Sequence, residues 1–230
     1  MNPTKLAIPL FKESFDSVQT GAPDLRPVDL PSDVELRKKG PITFQTKFYT
    51  SSYGDIRCVH ISSPRIEIIN FFFFPHPAIA LPVYAMEFVV FGKKPIVAVI
   101  DLKGLAADPQ LKENCTQIMR LAHAHFPELT MATDPPGWFS ECRSGEDFFS
   151  RPQQLHTMLS AKQAHEFVCS CLYDIMPKAN LYSGDDAVKH AEAIRFYKDH
   201  HRENSPGLPF LNRTFGEEWT EHFLKNYLFS

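Results

Sequence analysis

Two polar residues stand inside two oily runs. Residues 83–91 are apolar on both alternating faces except for Glu87, and the nearly as apolar run 66–74 carries Asn70 near its middle. A strand that is apolar on both faces is covered on both sides. A carboxyl in such a strand is costly when ionised unless it is paired or hydrogen-bonded, so burial holds it toward neutrality. A neutral acid in an apolar site is a good proton donor. The competing reading is structural: an acid tied to backbone N–H groups or to an arginine. Hairpin geometry sharpens the choice. If the two runs pair around the intervening loop with Phe74 opposite Val83, then Asn70 falls opposite Glu87 and the two side chains share a face. A slip of one residue would part them.

The elements that must position this pair read as strands first and helices later. Residues 42–51, 55–62, 66–74, 83–91 and 96–102 are β-type runs, separated by the turn signals Tyr53-Gly54-Asp55, Ser63-Pro64-Arg65 and Gly92-Lys-Lys-Pro95. Asp108 followed by Pro109 reads as a helix N-cap with proline at N1, and Leu111, Cys115, Ile118, Met119 and Ala122 keep helical spacing. A loop through Trp138 leads to a last strand at 147–151. Helices are predicted over 153–176, over 184–201 with Ser183 as cap, and from Gly216 to about residue 228. A short amphipathic helix is predicted over 5–18, and 21–41, rich in proline and charge, reads as an extended surface loop. Consecutive strands on short turns favour an antiparallel meander. Helices on both faces make it a three-layer α/β/α sandwich with a central antiparallel sheet. Its 230 residues suit a single domain, with 1–41 as an N-terminal helix and loop extension.

Bulk properties exclude several function classes. A net charge of −3 argues against a nucleic-acid binder that works by general charge attraction. The five cysteines are scattered and form no zinc set, so no metal is expected and reduced thiols in a cytoplasmic compartment are the plain reading. Prolines 75, 77, 82 and 95 break the longest apolar stretches, so no membrane span is expected, and no signal peptide is visible. There is no glycine-rich dinucleotide fingerprint.

Three segments together carry a resemblance to the ferredoxin-dependent bilin reductase family. The first runs from Asn70-Phe-Phe-Phe-Phe-Pro through Leu81-Pro-Val-Tyr-Ala-Met-Glu87 and on to Ile96-Val-Ala-Val-Ile-Asp-Leu102. The second is Trp138-Phe-Ser140 with Phe148-Phe-Ser-Arg-Pro152, and the third is the ending from Phe215 to Phe229. The resemblance implies an open-chain tetrapyrrole between sheet and C-terminal helices, single electrons from external reduced ferredoxin, no tightly bound cofactor, and protons from side chains. It further implies a monomer. Glu87 falls where most members carry a proton-donating Asp. Asn70 falls where the phycocyanobilin-forming branch has His, which argues against that branch. His60 matches a histidine on the neighbouring strand of that branch. The family's second acid, before the last helix, is replaced by Asn204 or Ser205. Arg151 is a candidate for a propionate, and Phe72 and Met86 for contact with the pigment. Structural readings stand beside these: Asn70 and His60 as satisfied sheet residues, Arg151 paired to a surface acid, Ser205 as a loop residue. His200 and His201 read as a helix end and Asp101 as an exposed strand end. The function implied is reduction of biliverdin IXα to 15,16-dihydrobiliverdin or phycoerythrobilin. A non-catalytic bilin carrier and a reductase of a chlorophyll-derived linear tetrapyrrole remain as alternatives.

Overall fold

Every strand of the sheet is antiparallel to its neighbour, and its order almost follows the chain. The computed structural model describes residues 24–92, 94–105, 108–129, 134–152, 154 and 156–230. The helix expected over 5–18 lies outside them. Strands β3 (Ile42–Thr50), β4 (Gly54–Ser62), β5 (Ile66–Pro75), β6 (Val83–Phe91) and β7 (Lys94–Lys103) form a meander, and β8 (Phe148–Ser150) pairs with the outer edge of β7. The stretch expected to be loop is partly ordered. β1 (Arg26–Pro27) and β2 (Leu36–Lys39) both pair with the outer edge of β3, on either side of the helical turn α1 (Ser32–Glu35). The reason is Val34, which is 1% exposed and pins that turn, while charged β2 supplies a short edge that discourages further pairing.

The tight β3–β4 turn depends on Gly54. Its φ is +155°, and a Cβ there would meet the carbonyl oxygen of Phe74 at 2.3 Å. Only glycine lets β5 approach this closely.

One face of the sheet packs against α2 (Pro109–His125) and, after the short α3 (Gly137–Ser140), against α4 (Thr157–Ile175). Asp108 caps α2 as expected, its side chain accepting from the backbone N–H groups of Gln110 and Leu111 at 2.9 and 3.0 Å. The other face packs against α5 (Gly184–Asn204), α6 (Leu208–Phe215), α7 (Glu217–Phe223) and a terminal π-helical turn, Leu224–Leu228. Ser183 does precede α5, but its side chain makes no capping bond. Helix α6 has no counterpart in the expectations from sequence. It is a separate element because Gly216, at φ +95°, ends it and redirects the chain into α7. The three-layer sandwich is therefore present, with two apolar cores separated by the sheet. Among the described residues no helix is long and apolar enough to cross a membrane.

Candidate active site

The register of β5 and β6 pairs Asn70 directly with Glu87. The assumed hairpin register is the observed one. Following that row across the sheet gives Thr46, Val59, Asn70, Glu87, Val99 and Phe149 on successive strands. The acid and the amide are thus two polar groups at the centre of an apolar surface, on the face that α5–α7 cover.

The two faces differ at this point. On the α2/α4 face the central residues Ile69, Phe71, Met86, Phe88, Ala98 and Ile100 are at most 2% exposed. On the α5–α7 face Ile68, Asn70, Glu87, Val89, Val97 and Phe149 are only half-buried, although each lies mid-sheet or beneath helices. One face is sealed, while on the other the residues around Glu87 are only partly covered by the helices. Burial raises the Glu87 carboxyl above its ordinary pKa, and the hydrogen bond from Asn70 opposes that rise by favouring the ionised form. Desolvation is the larger effect, so Glu87 is a carboxyl biased toward keeping its proton, on the partly covered face.

The other residues singled out from sequence divide cleanly. Phe72 stands on the Glu87 face, opposite Ala85, and lines the same surface. His60 and Met86 do not. His60 pairs with Ile69 and Met86 with Phe71, both on the sealed face. The sheet lies between them and Glu87, and the imidazole of His60 instead meets the Glu67 carboxylate at 3.1 Å. Strand alternation is the reason: on β4 the residues that share a face with Val59 are the odd-numbered ones, and Met86 adjoins Glu87 in sequence. Arg151 is exposed just beyond β8, two residues from Phe149. Asn204 is exposed, and its amide donates to the carbonyl of His200 at 2.9 Å at the end of α5. Ser205 is half-buried, and its hydroxyl accepts from the backbone N–H of Gly207 at 3.3 Å. Both side chains are engaged in the α5–α6 turn.

Four further side chains on the Glu87 face were not identified from sequence as part of this site. Arg57 lies opposite Phe72, with one guanidinium nitrogen donating to Asp55 at 2.8 Å and its planar group 4.8 Å from the Phe48 ring centre. Its Nη1 is buried with no hydrogen-bond partner among the described residues. Tyr197 and His201 descend from α5 onto Phe74 and Phe72. Asp101 was expected to be exposed and is 1% exposed. It lies opposite Ala85, diagonal to Glu87, and accepts from the backbone N–H of Ser144 at 3.1 Å. The loop that covers it is 43 residues away in sequence, which no local pattern reveals.

Burial first, and then the nearby charge of Asp147, push Asp101 up to about 7. The folded protein therefore holds a proton that the unfolded chain releases near pH 4. The stabilisation from that proton is complete below about pH 4 and is lost as pH rises through about 7. Asp101→Asn keeps an oxygen for the Ser144 N–H and removes the titration. Thermal melts across pH 5–8 should show the variant gaining on the wild type as pH rises, by at least about 2 °C at pH 8. Parallel melting curves at every pH would contradict this account.

The site is thus an acid–amide pair at the centre of a covered, largely apolar sheet face, an arrangement able to deliver a proton to an apolar ligand. Comparison with known proteins supplies the family. The family model described as ferredoxin-dependent bilin reductase matches residues 16–230. Phycoerythrobilin:ferredoxin oxidoreductase from Nostoc punctiforme is 25% identical, over 90% of this chain and 86% of its own. The 15,16-dihydrobiliverdin:ferredoxin oxidoreductase of Synechococcus sp. strain CC9605 is 26% identical, over 88% and 89%. The crystal structure of phytochromobilin synthase from tomato, in complex with biliverdin, shares the fold with a TM-score of 0.81 at 18% identity, covering 98% of this chain and 82% of that one. The chain belongs to the ferredoxin-dependent bilin reductase family.

Proposed function

We propose that this protein reduces biliverdin IXα with electrons from reduced ferredoxin, in one two-electron step that yields 15,16-dihydrobiliverdin, with phycoerythrobilin as the product if a second step follows. Each step consumes two electrons from two reduced ferredoxins and two protons. Glu87 gives one proton to the reduced pigment and is reprotonated from solvent, which also supplies the second proton. Asn70 holds the Glu87 carboxyl in place and tunes its acidity. Phe72 and the valines around Glu87 form the apolar floor, and Arg57 offers an unpaired N–H to a propionate.

The observation that carries this reading is the Asn70–Glu87 pair, centred on the partly covered face with a carboxyl that burial pushes toward its acid form. It favours an enzyme over a carrier, because a carrier has no use for a costly acid in an apolar site. Asparagine at position 70 supports a product other than phycocyanobilin. The engaged side chains of Asn204 and Ser205, neither of them an acid, support a single two-electron step. The protein acts as a monomer in the cytoplasm in this reading.

The test is an anaerobic turnover assay with biliverdin IXα, ferredoxin and a reducing system, followed by absorption and chromatography of the product. Conversion to 15,16-dihydrobiliverdin supports the full reading. A bound-biliverdin spectrum that never changes, with ferredoxin shown to be active, rejects it.

A further inference from the structure

The sheet carries a tyrosine–histidine pair on each face, and the two pairs differ in one respect. On the sealed face the Tyr84 hydroxyl meets Nδ1 of His165 at 2.7 Å, and the rings stack at 5.8 Å. Both side chains are deep in the core, with their polar atoms joined to each other. That is how a folded protein normally buries such groups. On the Glu87 face Tyr197 and His201 sit one turn apart on α5, stacked at 4.2 Å. Tyr197 is 1% exposed and His201 7%. Yet the Tyr197 hydroxyl is buried with no hydrogen-bond partner among the described residues, and the His201 imidazole has only the backbone carbonyl of Tyr197, one turn earlier on the same helix, to turn to. The rings leave little freedom to escape. Phe74 meets Tyr197 at 6.4 Å, and Phe72, Trp138 and Phe229 surround His201 at 6.0, 5.6 and 6.1 Å. Nearby Lys103, 5.9 Å from the Tyr197 ring centre, is turned to the carbonyl of Cys142, and Asp101 is turned to Ser144.

A buried hydroxyl left without a partner, beside an imidazole whose other nitrogen stays free, costs stability in the empty protein. Such a cost is retained where a ligand supplies the missing bonds. Phe72, against which His201 packs, is two residues from Asn70 on the same face of β5, so the pair borders the half-buried surface around Glu87. His201 is also within one turn of Asn204 and Ser205, one of which stands where the family resemblance implies an acid.

Resting on the bilin reading above, we propose that Tyr197 and His201 hold one terminal lactam ring of the tetrapyrrole by a two-point hydrogen bond. The tyrosine O–H donates to the lactam carbonyl, and an imidazole nitrogen accepts from the adjacent lactam N–H. The match is of neutral with neutral: burial pushes His201 down to about 3, so at neutral pH the imidazole is uncharged and has a nitrogen free to accept. Neither residue gives up a proton in this role. They are positioning residues that fix which end of the pigment lies over Glu87 and so which bond is reduced. Propionates, being charged, are left for Arg57 and the solvent side.

The test uses Tyr197→Phe, which removes one oxygen and keeps the stacked ring, and His201→Phe, which removes both nitrogens. For each, the melting temperature of the empty protein, the biliverdin affinity by absorption titration, and the product pattern are measured. Tyr197→Phe is expected to melt at or above the wild-type temperature and to bind biliverdin about tenfold more weakly. It should also yield a mixture of reduced isomers. His201→Phe should repeat the loss of affinity and of product selectivity. A purely structural role predicts the reverse, a lower melting temperature with affinity and product unchanged, and that result overturns the inference. If the wild type itself binds no biliverdin, the bilin reading fails, and the inference falls with it. If the wild type binds and both variants match it, the inference alone is overturned.

Discussion

Glu87→Gln is expected to slow reduction of biliverdin by roughly a hundredfold or more while pigment affinity stays within about threefold of wild type. Glutamine fills the same volume and still bonds Asn70, so the site keeps its shape. It has no acidic proton to give. The pH dependence of the wild type should carry the same signature. Desolvation places the Glu87 carboxyl above its usual pKa, and the working form is the acid. The rate therefore falls as pH rises through that raised value, and Glu87→Gln loses this limb. Asn70→Ala removes the hydrogen bond that favours the carboxylate, so its limb should move to higher pH. Stopped-flow reduction under anaerobic conditions, with pH varied and ferredoxin in excess, reads all three. Full turnover by Glu87→Gln would remove Glu87 from the chemistry. A limb unmoved in Asn70→Ala would remove Asn70 from its control.

The core of this site was legible in the sequence because strand registry is arithmetic. Two apolar runs, each with one polar residue and joined by a short proline-bounded loop, bring those residues together in one register. The same arithmetic was available for the residues that fell on the wrong side. Once Asn70 and Glu87 share a row, Met86 must face the other way, and so must His60 if β4 pairs at Val59. Those two candidates were taken from neighbourhood in sequence or from family resemblance, and parity overrides both. Other features had no local signal. Asp101 sits near a strand end, which normally means exposure, and only the distant loop at Ser144 encloses it. Tyr197 and His201 have the spacing of one helix face, but α5 is largely polar, and nothing in its periodicity says which side meets the sheet. The 21–41 stretch looked like loop because proline and charge dominate it. A single buried valine and an edge pairing with β3 order part of it instead.

Helices α6 and α7 are held to the sheet by an aromatic cluster on β3, with β4 and β5 between it and the strand of Glu87, and this separates closure from chemistry. Phe44 on β3 is 0% exposed and packs edge-on against Phe215, Trp219 and Phe223, with ring centres at 5.6, 5.1 and 5.0 Å. These partners belong to α6 and α7, so one side chain of the sheet pins both helices. Phe44→Ala should cost about 3–5 kcal/mol, from lost burial and the cavity left behind. For a chain of this size that lowers the melting temperature by roughly 10 °C. Phe71→Ala, in the core of the sealed face against Tyr84 and His165, should cost a similar amount. The two variants diverge in biliverdin binding. Phe44→Ala loosens the layer that closes over the pigment, so affinity should drop severalfold even after correction for the folded fraction. Phe71→Ala damages the opposite layer and should bind as wild type does. Thermal melts fix the first comparison and absorption titrations at a temperature where both variants are folded fix the second. Equal affinities would mean that α6 and α7 hold their place without the Phe44 cluster. In that case the closure must come from Phe72, Phe74 and Phe229, which join β5 to the end of the chain.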